Sequence, residues 1–314
     1  MNIKRLLALA LCALMAIAAV GCGAATVEGS GSSKPAETAS TSAAGGDIGL
    51  SLSTLNNPFF VTLSDGAAAK AKELGVNLIT VDAGDDSAKQ ASDIEDLISK
   101  NIAVLIVNPV DSDAVAPAVE DAIAKGIKVI AVDRVVNGVE VDCSIASDNV
   151  AGAKMAAEFL VKTVGEGAKV AELQGVNGAS ATIDRGAGFH AVADTKLAVV
   201  SSQTANFNRA EGMSVMENML QANPDVQCVF AHNDEMALGA AEVAAEKGII
   251  IAGFDATDDA LAAIREGKMA ATVAQQPDLM GGTAVEIAKK LIAGETVEKS
   301  IPVEVKLITK DNVG

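Results

Sequence analysis

From Asp47 onward the chain repeats one pattern: a short apolar run, a turn, and a longer stretch with helical periodicity. The apolar runs carry few polar residues on either face of an extended chain. This is typical of strands in a parallel sheet that helices cover on both sides. The series predicts nine strands, at 48–53, 76–83, 103–109, 128–134, 169–175, 197–203, 226–234, 249–256 and 270–276.

The stretches between these runs carry signals for the two ends of helices. Pro58 stands at the start of the first stretch, where a missing N–H costs nothing. Asp86 or Ser87 is the expected N-cap of the second helix, and Ser112 or Asp113 that of the third. Glycines in KELG, AKG, REG and LIAG are expected just past helix C-termini.

Strand and helix alternate over residues 47–314, which predicts an α/β fold with right-handed crossovers. A chain of this length exceeds one comfortable hydrophobic core, so we expect two domains. No long linker interrupts the series, and short connections are therefore expected between the two lobes.

Polar side chains gather where the predicted strands end. In an open parallel sheet, ligands bind beyond the carboxyl ends of the strands. Any one of these residues, taken alone, is better explained as a helix cap or a turn former. Seven such positions near strand ends together favour a converging site. The residues are Ser53, Asn57, Asn108, Asp133 with Arg134, Asn233 with Asp234, Asp255 and Gln275.

Aromatic residues are scarce, with seven Phe and no Trp or Tyr, and two of them stand side by side at Phe59 and Phe60. Such rings beside amides and carboxylates suit a neutral polyol, because each hydroxyl is one donor and two acceptors. Arg185 is a further planar donor and Phe207 a further apolar wall. Phe254 is either wall or core, whereas Phe159, Phe189 and Phe230 are expected in the core.

Motifs for catalysis are missing from the sequence. There is no G-x-S-x-G, no P-loop and no well-placed G-x-G-x-x-G. The two histidines lack ligand-like spacing, so no metal and no cofactor are predicted, and His232 is expected to be structural. The sequence favours a binding protein over an enzyme. Cys143 and Cys228 lie in apolar contexts and are expected to be buried free thiols.

The N-terminus predicts export. Residues 1–21 have the basic start and the apolar run of a secretory signal peptide. The end of this run, AVGC, resembles the lipobox of bacterial lipoproteins, with Ala in place of the usual Leu. We therefore expect lipidation at Cys22, with ordinary cleavage beside an idle cysteine as the alternative. Residues 22–46, rich in Gly, Ser, Thr and Ala, are expected to be a disordered tether.

The charge argues against two classes of partner. The chain carries −17, and loss of Lys4 and Arg5 with the leader leaves 22 basic against 41 acidic residues, or −19. Such a surface disfavours nucleic acid and anionic lipid headgroups.

Taken together, several segments resemble the ribose-binding proteins, which are type I periplasmic sugar-binding proteins of ABC transporters. The similar segments are STLNNPFF, VNPVDSDAV, AVDR, IASDN, AELQGVNG, HNDEMALGA, GFD and ATVAQQPD, and the resemblance runs from about Asp47 to the C-terminus. It implies ligand contacts at Ser53, Asn57, Phe59, Phe60, Asn108, Asp133, Arg134, Arg185, Phe207, Asn233, Asp255 and Gln275. The ATID segment before Arg185 departs from the family pattern, and so does His232.

The resemblance also implies a fold and a function. The fold is two Rossmann-like lobes joined by a three-strand hinge, with 47–147 plus 276–304 as the N-terminal lobe and 148–275 plus 305–314 as the C-terminal lobe. The function is capture of D-ribose or a close pentose outside the cytoplasm by a lipid-anchored monomer, and delivery to an ABC permease.

Several alternatives stay open. The chain is alternatively a sensor that presents its closed sugar complex to a chemoreceptor or a sensor kinase, or a binder of a hexose or a furanosyl signal. A sugar-responsive repressor is opposed by the export signal and by the acidic charge.

Overall fold

The computed structural model describes residues 46–314, so the predicted signal peptide, Cys22 and most of the predicted tether lie outside the described residues. Within 46–314 the strands, in chain order, are β1 (Ile48–Leu52), β2 (Leu78–Asp82), β3 (Val104–Val107), β4 (Lys128–Val132), β5 (Cys143–Ser147), β6 (Lys169–Gln174), β7 (Ala198–Thr204), β8 (Cys228–Ala231), β9 (Ile250–Asp255), β10 (Ala271–Ala274), β11 (Ser300–Val303) and β12 (Lys306–Thr309).

The helices of the same range alternate with these strands. They are α1 (Pro58–Leu74), α2 (Ser87–Ser99), α3 (Ala116–Ala124), α4 (Asn149–Val164), α5 (Ser180–Lys196), α6 (Arg209–Ala222), α7 (Asp234–Ala244), α8 (Asp258–Glu266) and α9 (Pro277–Ile292), and one 3₁₀ turn follows α7 at Ala245–Lys247.

The strands form two six-stranded sheets, which confirms an α/β fold with two lobes. The first sheet has the order β11-β5-β4-β3-β1-β2, and all its strands are parallel. The second has the order β12-β10-β9-β8-β6-β7 and is parallel except for β12. We call the lobes built on them the first lobe and the second lobe.

The antiparallel strand follows from how the chain crosses between the sheets. The parallel strands run toward the edge where the two lobes meet. β12 enters the second sheet two residues after β11 leaves the first. A strand that starts at the meeting edge has to run away from it, and β12 is therefore antiparallel to β10.

Each sheet is buried on both faces, which explains the uninterrupted apolar runs. In β3, Val104 and Ile106 pack into one core of the first lobe, whereas Leu105 and Val107 pack into the other. All four side chains are fully buried. Complete burial of an aliphatic side chain contributes about 1.5–3 kcal/mol, so both faces stabilise the lobe.

Most of the expected helix ends are found. Asp86 caps α2 through hydrogen bonds from the Ala88 and Lys89 amides. The prediction for the third helix was wrong, because α3 follows Val115, which makes no side-chain cap. The carboxylate of Asp111 accepts from two amides of the preceding turn instead, and this turn delays the helix.

The predicted state of the two cysteines is confirmed. Cys143 on β5 and Cys228 on β8 are free and buried, one in each lobe. Burial raises the pKa of the Cys228 thiol to about 12, so it stays protonated at neutral pH.

Candidate functional site

The carboxyl ends of both sheets meet at a small cavity between the lobes. Asn57 precedes α1 and Asp133 follows β4 in the first lobe, while Asn233 follows β8 and Asp255 ends β9 in the second. Nine of the twelve predicted contact residues line this cavity. They are Asn57, Phe59, Phe60, Asp133, Arg134, Arg185, Phe207, Asn233 and Asp255, together with Ala181.

The first lobe contributes a buried charge pair. Asp133 and Arg134 are each 3% exposed, and the Arg134 Nε lies 3.7 Å from the Asp133 Oδ2. Arg134 Nη1 donates a 2.7 Å hydrogen bond to the carbonyl of Pro109. Burial raises the pKa of Asp133, and the charge of Arg134 opposes this. The pair is thus held in place by the lobe before any ligand is considered.

Ser53 and Asn108 lie behind the cavity rather than on its wall. Asn108 Nδ2 donates to Asp133 Oδ2 at 3.0 Å, and its Oδ1 accepts from the Ser53 amide at 3.2 Å. Asn108 therefore orients the Asp133 carboxylate. The Ser53 side chain is fully buried as well.

In the second lobe, Arg185 of α5 is the central donor. Its Nε donates to Asn149 Oδ1 at 2.8 Å and its Nη1 to the carbonyl of His232 at 2.5 Å. The guanidinium carbon lies 3.9 Å from the centre of the Phe254 ring. Phe254 is fully buried in a core cluster, so it is a core residue whose ring packs against the Arg185 guanidinium.

Asp255 and Gln275 form the second acidic corner of the site. Gln275 Nε2 donates to Asp255 Oδ1 at 2.7 Å, and Arg185 Nη1 lies 3.7 Å from the same oxygen. Burial raises the pKa of Asp255 well above its ordinary value, against the opposing charge of Arg185. Gln275 lies in the neighbouring cavity beside Asp255 instead of in the shared one.

The aromatic rings bracket a guanidinium. Phe59 and Phe60 meet edge to face with centroids 5.1 Å apart, and both are buried. The Arg134 carbon lies 5.2 Å from the Phe60 centroid and 5.4 Å from that of Phe207 in the opposite lobe. Arg134 therefore joins the two aromatic walls through cation–π contacts. Phe189 and Phe230 are core as expected, whereas Phe159 is only half-buried at the edge of its cluster.

Asn57 and Asn233 each cap a helix and also line the cavity, so the helix-cap interpretation does not exclude a place in the site. Asn57 Oδ1 accepts from the Phe59 amide at 3.0 Å, and Asn233 Oδ1 accepts from the Met236 amide at 3.0 Å. Asn233 Nδ2 also donates to the Phe207 carbonyl. Capping fixes the side-chain orientation that the cavity then uses.

Backbone strain is concentrated at the same place. Asp133, Phe207 and Asp255 have φ values of 64°, 58° and 124°. A non-glycine residue in such a conformation costs about 1–3 kcal/mol, and such residues cluster at ligand sites. Three of the predicted contact residues, one in the first lobe and two in the second, are therefore held in backbone conformations that the rest of the fold has to stabilise.

Unpartnered polar atoms point to the same residues. Within 46–314, seven buried side-chain atoms have no hydrogen-bond partner in the protein, and four of them belong to predicted contact residues. A buried polar atom without a partner costs about 1–3 kcal/mol, so each such atom calls for an explanation. The four are Ser53 Oγ, Asp133 Oδ1, Arg134 Nε and Gln275 Oε1.

Several supporting residues were missed by reasoning from the sequence. Asn149 holds Arg185, and Glu172 holds the imidazole of His232 at 2.9 Å. Asp234 accepts from Thr272 Oγ1 at 2.6 Å and from the Thr257 amide at 2.8 Å, which secures the turn after Asp255. Burial raises the pKa of Asp234 to about 7. Only Asp234 carried a signal, as the neighbour of Asn233 at a strand end.

The two histidines are expected to titrate on opposite sides of pH 6.5. Partial burial lowers the pKa of His190, but its hydrogen bond to Asp194 and the charge of Glu172 outweigh this and raise it. Burial lowers the pKa of His232 despite its pairing with Glu172. Since the chain has two histidines, an untagged protein gives two imidazole C2–H signals in proton NMR.

A pH titration of these signals measures both values, and His190→Gln assigns them by removing one signal. The directions of the two pKa shifts also determine how the stability of the fold depends on pH. His190 stabilises the fold below the unfolded value of about 6.5 and loses this effect as pH rises through its higher folded pKa. Protonation of His232 opposes folding as pH falls below about 6.5. Two signals that both titrate near 6.5 would contradict the buried pairing.

Two kinds of feature are absent from the described residues. Among residues 46–314, no helix is both long and apolar enough to cross a membrane. No group of three or more His, Cys, Asp or Glu side chains in that range is arranged to hold a metal ion.

Comparisons with known proteins agree with this geometry. The chain is 51% identical to a ribose import binding protein of Bacillus subtilis over 84% of this chain and 87% of that protein. It is 48% identical to a protein of the same description from Escherichia coli, over 84% and 90%. Both relatives are described as binding proteins and not as enzymes.

A solved structure shows the same fold. The Caulobacter myo-inositol binding protein, bound to myo-inositol, aligns with a TM-score of 0.81 and 35% identity over 85% of this chain and 94% of that chain. The family described as "Periplasmic binding protein domain" matches residues 48–296. The chain therefore belongs to the periplasmic binding protein family.

Proposed function

We propose that this protein captures D-ribose or a close pentose outside the cytoplasm and delivers it to an ABC permease. The observation that carries the proposal is the set of buried, unpartnered polar atoms at the meeting edge of the lobes. The ribose import binding proteins at 48–51% identity support the choice of sugar.

The chemistry of the unpartnered atoms matches a polyol. On the cavity wall Asp133 Oδ1 accepts hydrogen bonds and Arg134 Nε donates, and Gln275 Oε1 beside Asp255 is a further acceptor. A simple cation cannot accept the hydrogen bond that Arg134 Nε donates. A simple anion cannot donate hydrogen bonds to Asp133 Oδ1 and Gln275 Oε1. Sugar hydroxyls combine both roles on one small molecule, and the nearby rings of Phe60 and Phe207 suit its C–H face.

We propose that capture proceeds by hinge closure between lobes bounded as 47–147 with 276–304 and 148–275 with 305–314. The chain would cross between the lobes near Ser147–Asp148, 275–276 and 304–305. A hydrogen bond of 3.1 Å from Gln276 Nε2 to the Glu304 carbonyl joins two of these segments and supports the proposal. A ligand that contacts both lobes stabilises the closed arrangement by that difference in contact.

Direct contacts between the lobes support a closed arrangement. The Ser112 amide donates to the Gly178 carbonyl at 3.0 Å, and the Val135 amide donates to Ser180 Oγ at 3.0 Å. Ser112 Oγ accepts from the Ser180 amide at 3.2 Å. None of these residues is a proposed sugar contact, so they stabilise closure independently of the ligand.

The remaining features complete the proposal. The family is periplasmic, and the N-terminal segment carries an export signal with a lipobox-like end. We infer an extracytoplasmic monomer held at the membrane by a lipid on Cys22, which acts without a cofactor or a metal. More than one acyl chain is needed for stable anchoring.

A panel of sugars tests the ligand. D-ribose is expected to raise the melting temperature in proportion to RT ln(1 + [L]/Kd), and calorimetry is expected to give one site per chain. The panel includes other pentoses, hexoses, furanosyl sugars and myo-inositol. Small-angle scattering with and without ribose reads closure as a smaller radius of gyration.

Three outcomes would contradict the proposal. Stabilisation by a hexose or by myo-inositol, with no response to any pentose, would show that the ligand is that compound and not ribose. A new species in proton NMR after incubation with the sugar would indicate an enzyme. Equal stabilisation of an Asp133→Ala variant would place the binding site elsewhere.

A further inference from the structure

Behind the second lobe's share of the site lies a buried charged cluster that no proposed sugar contact uses. Glu172 of β6 and His232 are both fully buried, with Oε1 and Nε2 2.9 Å apart. The other carboxylate oxygen of Glu172 accepts from Ser202 Oγ and from Gln174 Nε2 and lies 3.2 Å from His190 Nε2. A carboxylate buried in this way is retained only with such complete pairing.

The main chain of His232 touches the candidate site directly. Its carbonyl accepts the 2.5 Å hydrogen bond from Arg185 Nη1, and the next residue is Asn233, which lines the cavity. The His232 amide donates to the Leu173 carbonyl, one residue from Glu172. The imidazole and the backbone of His232 are thus both anchored to β6.

Arg185 depends on this carbonyl for its orientation. Among the described residues, its hydrogen bonds run from Nε to Asn149 and from Nη1 to His232. Two bonds to different atoms of a planar group fix its plane and its rotation within that plane. With the Asn149 bond alone, the guanidinium would still turn over the face of Phe254.

We propose that Glu172 and His232 are positioning residues for the sugar site: their buried pair holds the His232 carbonyl where it fixes the Arg185 guanidinium. The inference rests on the proposed function, because it assigns to Arg185 a contact with the sugar. A purely structural pair would support the stability of the lobe without a specific link to Arg185.

A double-mutant cycle separates these two roles. Glu172→Ala is expected to weaken D-ribose binding about tenfold in calorimetry at neutral pH, whereas Glu172→Gln, which keeps an acceptor for Nε2–H, stays within about threefold. In an Arg185→Lys background, Glu172→Ala is expected to cost less than about twofold, because the group that it positions is gone.

Cys228→Ala is the matched control, a buried truncation on the strand that leads to His232. It is expected to lower the melting temperature and to leave the ribose Kd unchanged. If Glu172→Ala behaves like this control, or costs as much in the Arg185→Lys background as in the native one, the positioning role is wrong.

Two further measurements keep the test decisive. If Glu172→Ala does not fold, Glu172→Leu combined with His232→Phe removes both polar partners, a replacement that is often neutral for stability. This double variant is expected to show the same loss of affinity. Unchanged affinity would overturn the proposal.

The second measurement needs no sugar and so separates this inference from the proposed function. Hydrogen exchange of the Arg185 Nε–H in the ligand-free protein is expected to be at least about tenfold faster in Glu172→Ala than in Cys228→Ala, because its orientation is no longer fixed. Equal exchange in both variants would sink the positioning role even if the native protein bound no pentose.

Discussion

Arg134→Ala and Asp133→Ala are each expected to weaken D-ribose binding about a thousandfold. Removal of one partner of a buried, hydrogen-bonded charge pair costs about 2–5 kcal/mol, and 4 kcal/mol corresponds to about three factors of ten in Kd. Both residues are 3% exposed, and each also carries an unpartnered polar atom at the cavity. Calorimetric titration of the purified variants with ribose measures the loss.

Arg134 has a second role, because it also contacts aromatic rings of both lobes. Its guanidinium lies between Phe60 of the first lobe and Phe207 of the second. Its removal takes away both cation–π contacts and leaves Asp133 without its neighbouring charge. We therefore expect Arg134→Ala also to favour the open arrangement of the ligand-free protein.

Arg265→Ala and Asp225→Ala are the matched controls. Arg265 hydrogen bonds the carbonyls of Val313 and Gly314, and the side chain of Asp225 is 62% exposed beside Lys169. Neither residue lines the cavity between the lobes. Both controls are expected to bind ribose as the native protein does. Near-native affinity in Asp133→Ala and Arg134→Ala would show that the sugar binds elsewhere.

The fold was predictable where strands bury both faces, as β1, β3 and β8 do. An uninterrupted apolar run leaves few interpretations, and the glycines after α1 and α8 end those helices in the left-handed conformation that favours glycine. The strands missed by the periodic series are β5, β11 and β12, which carry exposed or half-buried residues. All three border the proposed crossings between the lobes, where burial is incomplete and the apolar pattern is weak.

The wall of the site was predictable for a topological reason, and its support was not. Parallel strands deliver their last residues to one edge of their sheet, so Asn108 could be placed beside Asp133, and Asn233 beside Asp255, from sequence position alone. Asn149 lies on α4 and Glu172 lies inside β6. In the sequence, a polar residue in such an element cannot be told apart from one that faces solvent. Only the folded chain shows that their side chains face inward.

Gly281→Ala is expected to destabilise the first lobe by about 3 kcal/mol, whereas Gly282→Ala, its neighbour on α9, is expected to be neutral or stabilising by up to about 1 kcal/mol. A Cβ on Gly281 would stand 2.0 Å from the Leu63 carbonyl oxygen and 2.9 Å from the Ala67 amide nitrogen. Both atoms belong to the backbone of α1, so the two helices would have to separate.

Gly282 is a control that shares the helix, the residue type and the size of the change. A Cβ there meets nothing closer than 3.8 Å, so the substitution removes the entropic cost of a helical glycine without a clash. Denaturant unfolding of both variants measures the difference. Because α9 follows the proposed crossing at 275–276, a forced shift of this helix is also expected to disturb closure, so ribose affinity should fall in Gly281→Ala alone. Equal stability of the two variants would mean that α1 and α9 are not in backbone contact, and the packing of the first lobe described above would be wrong.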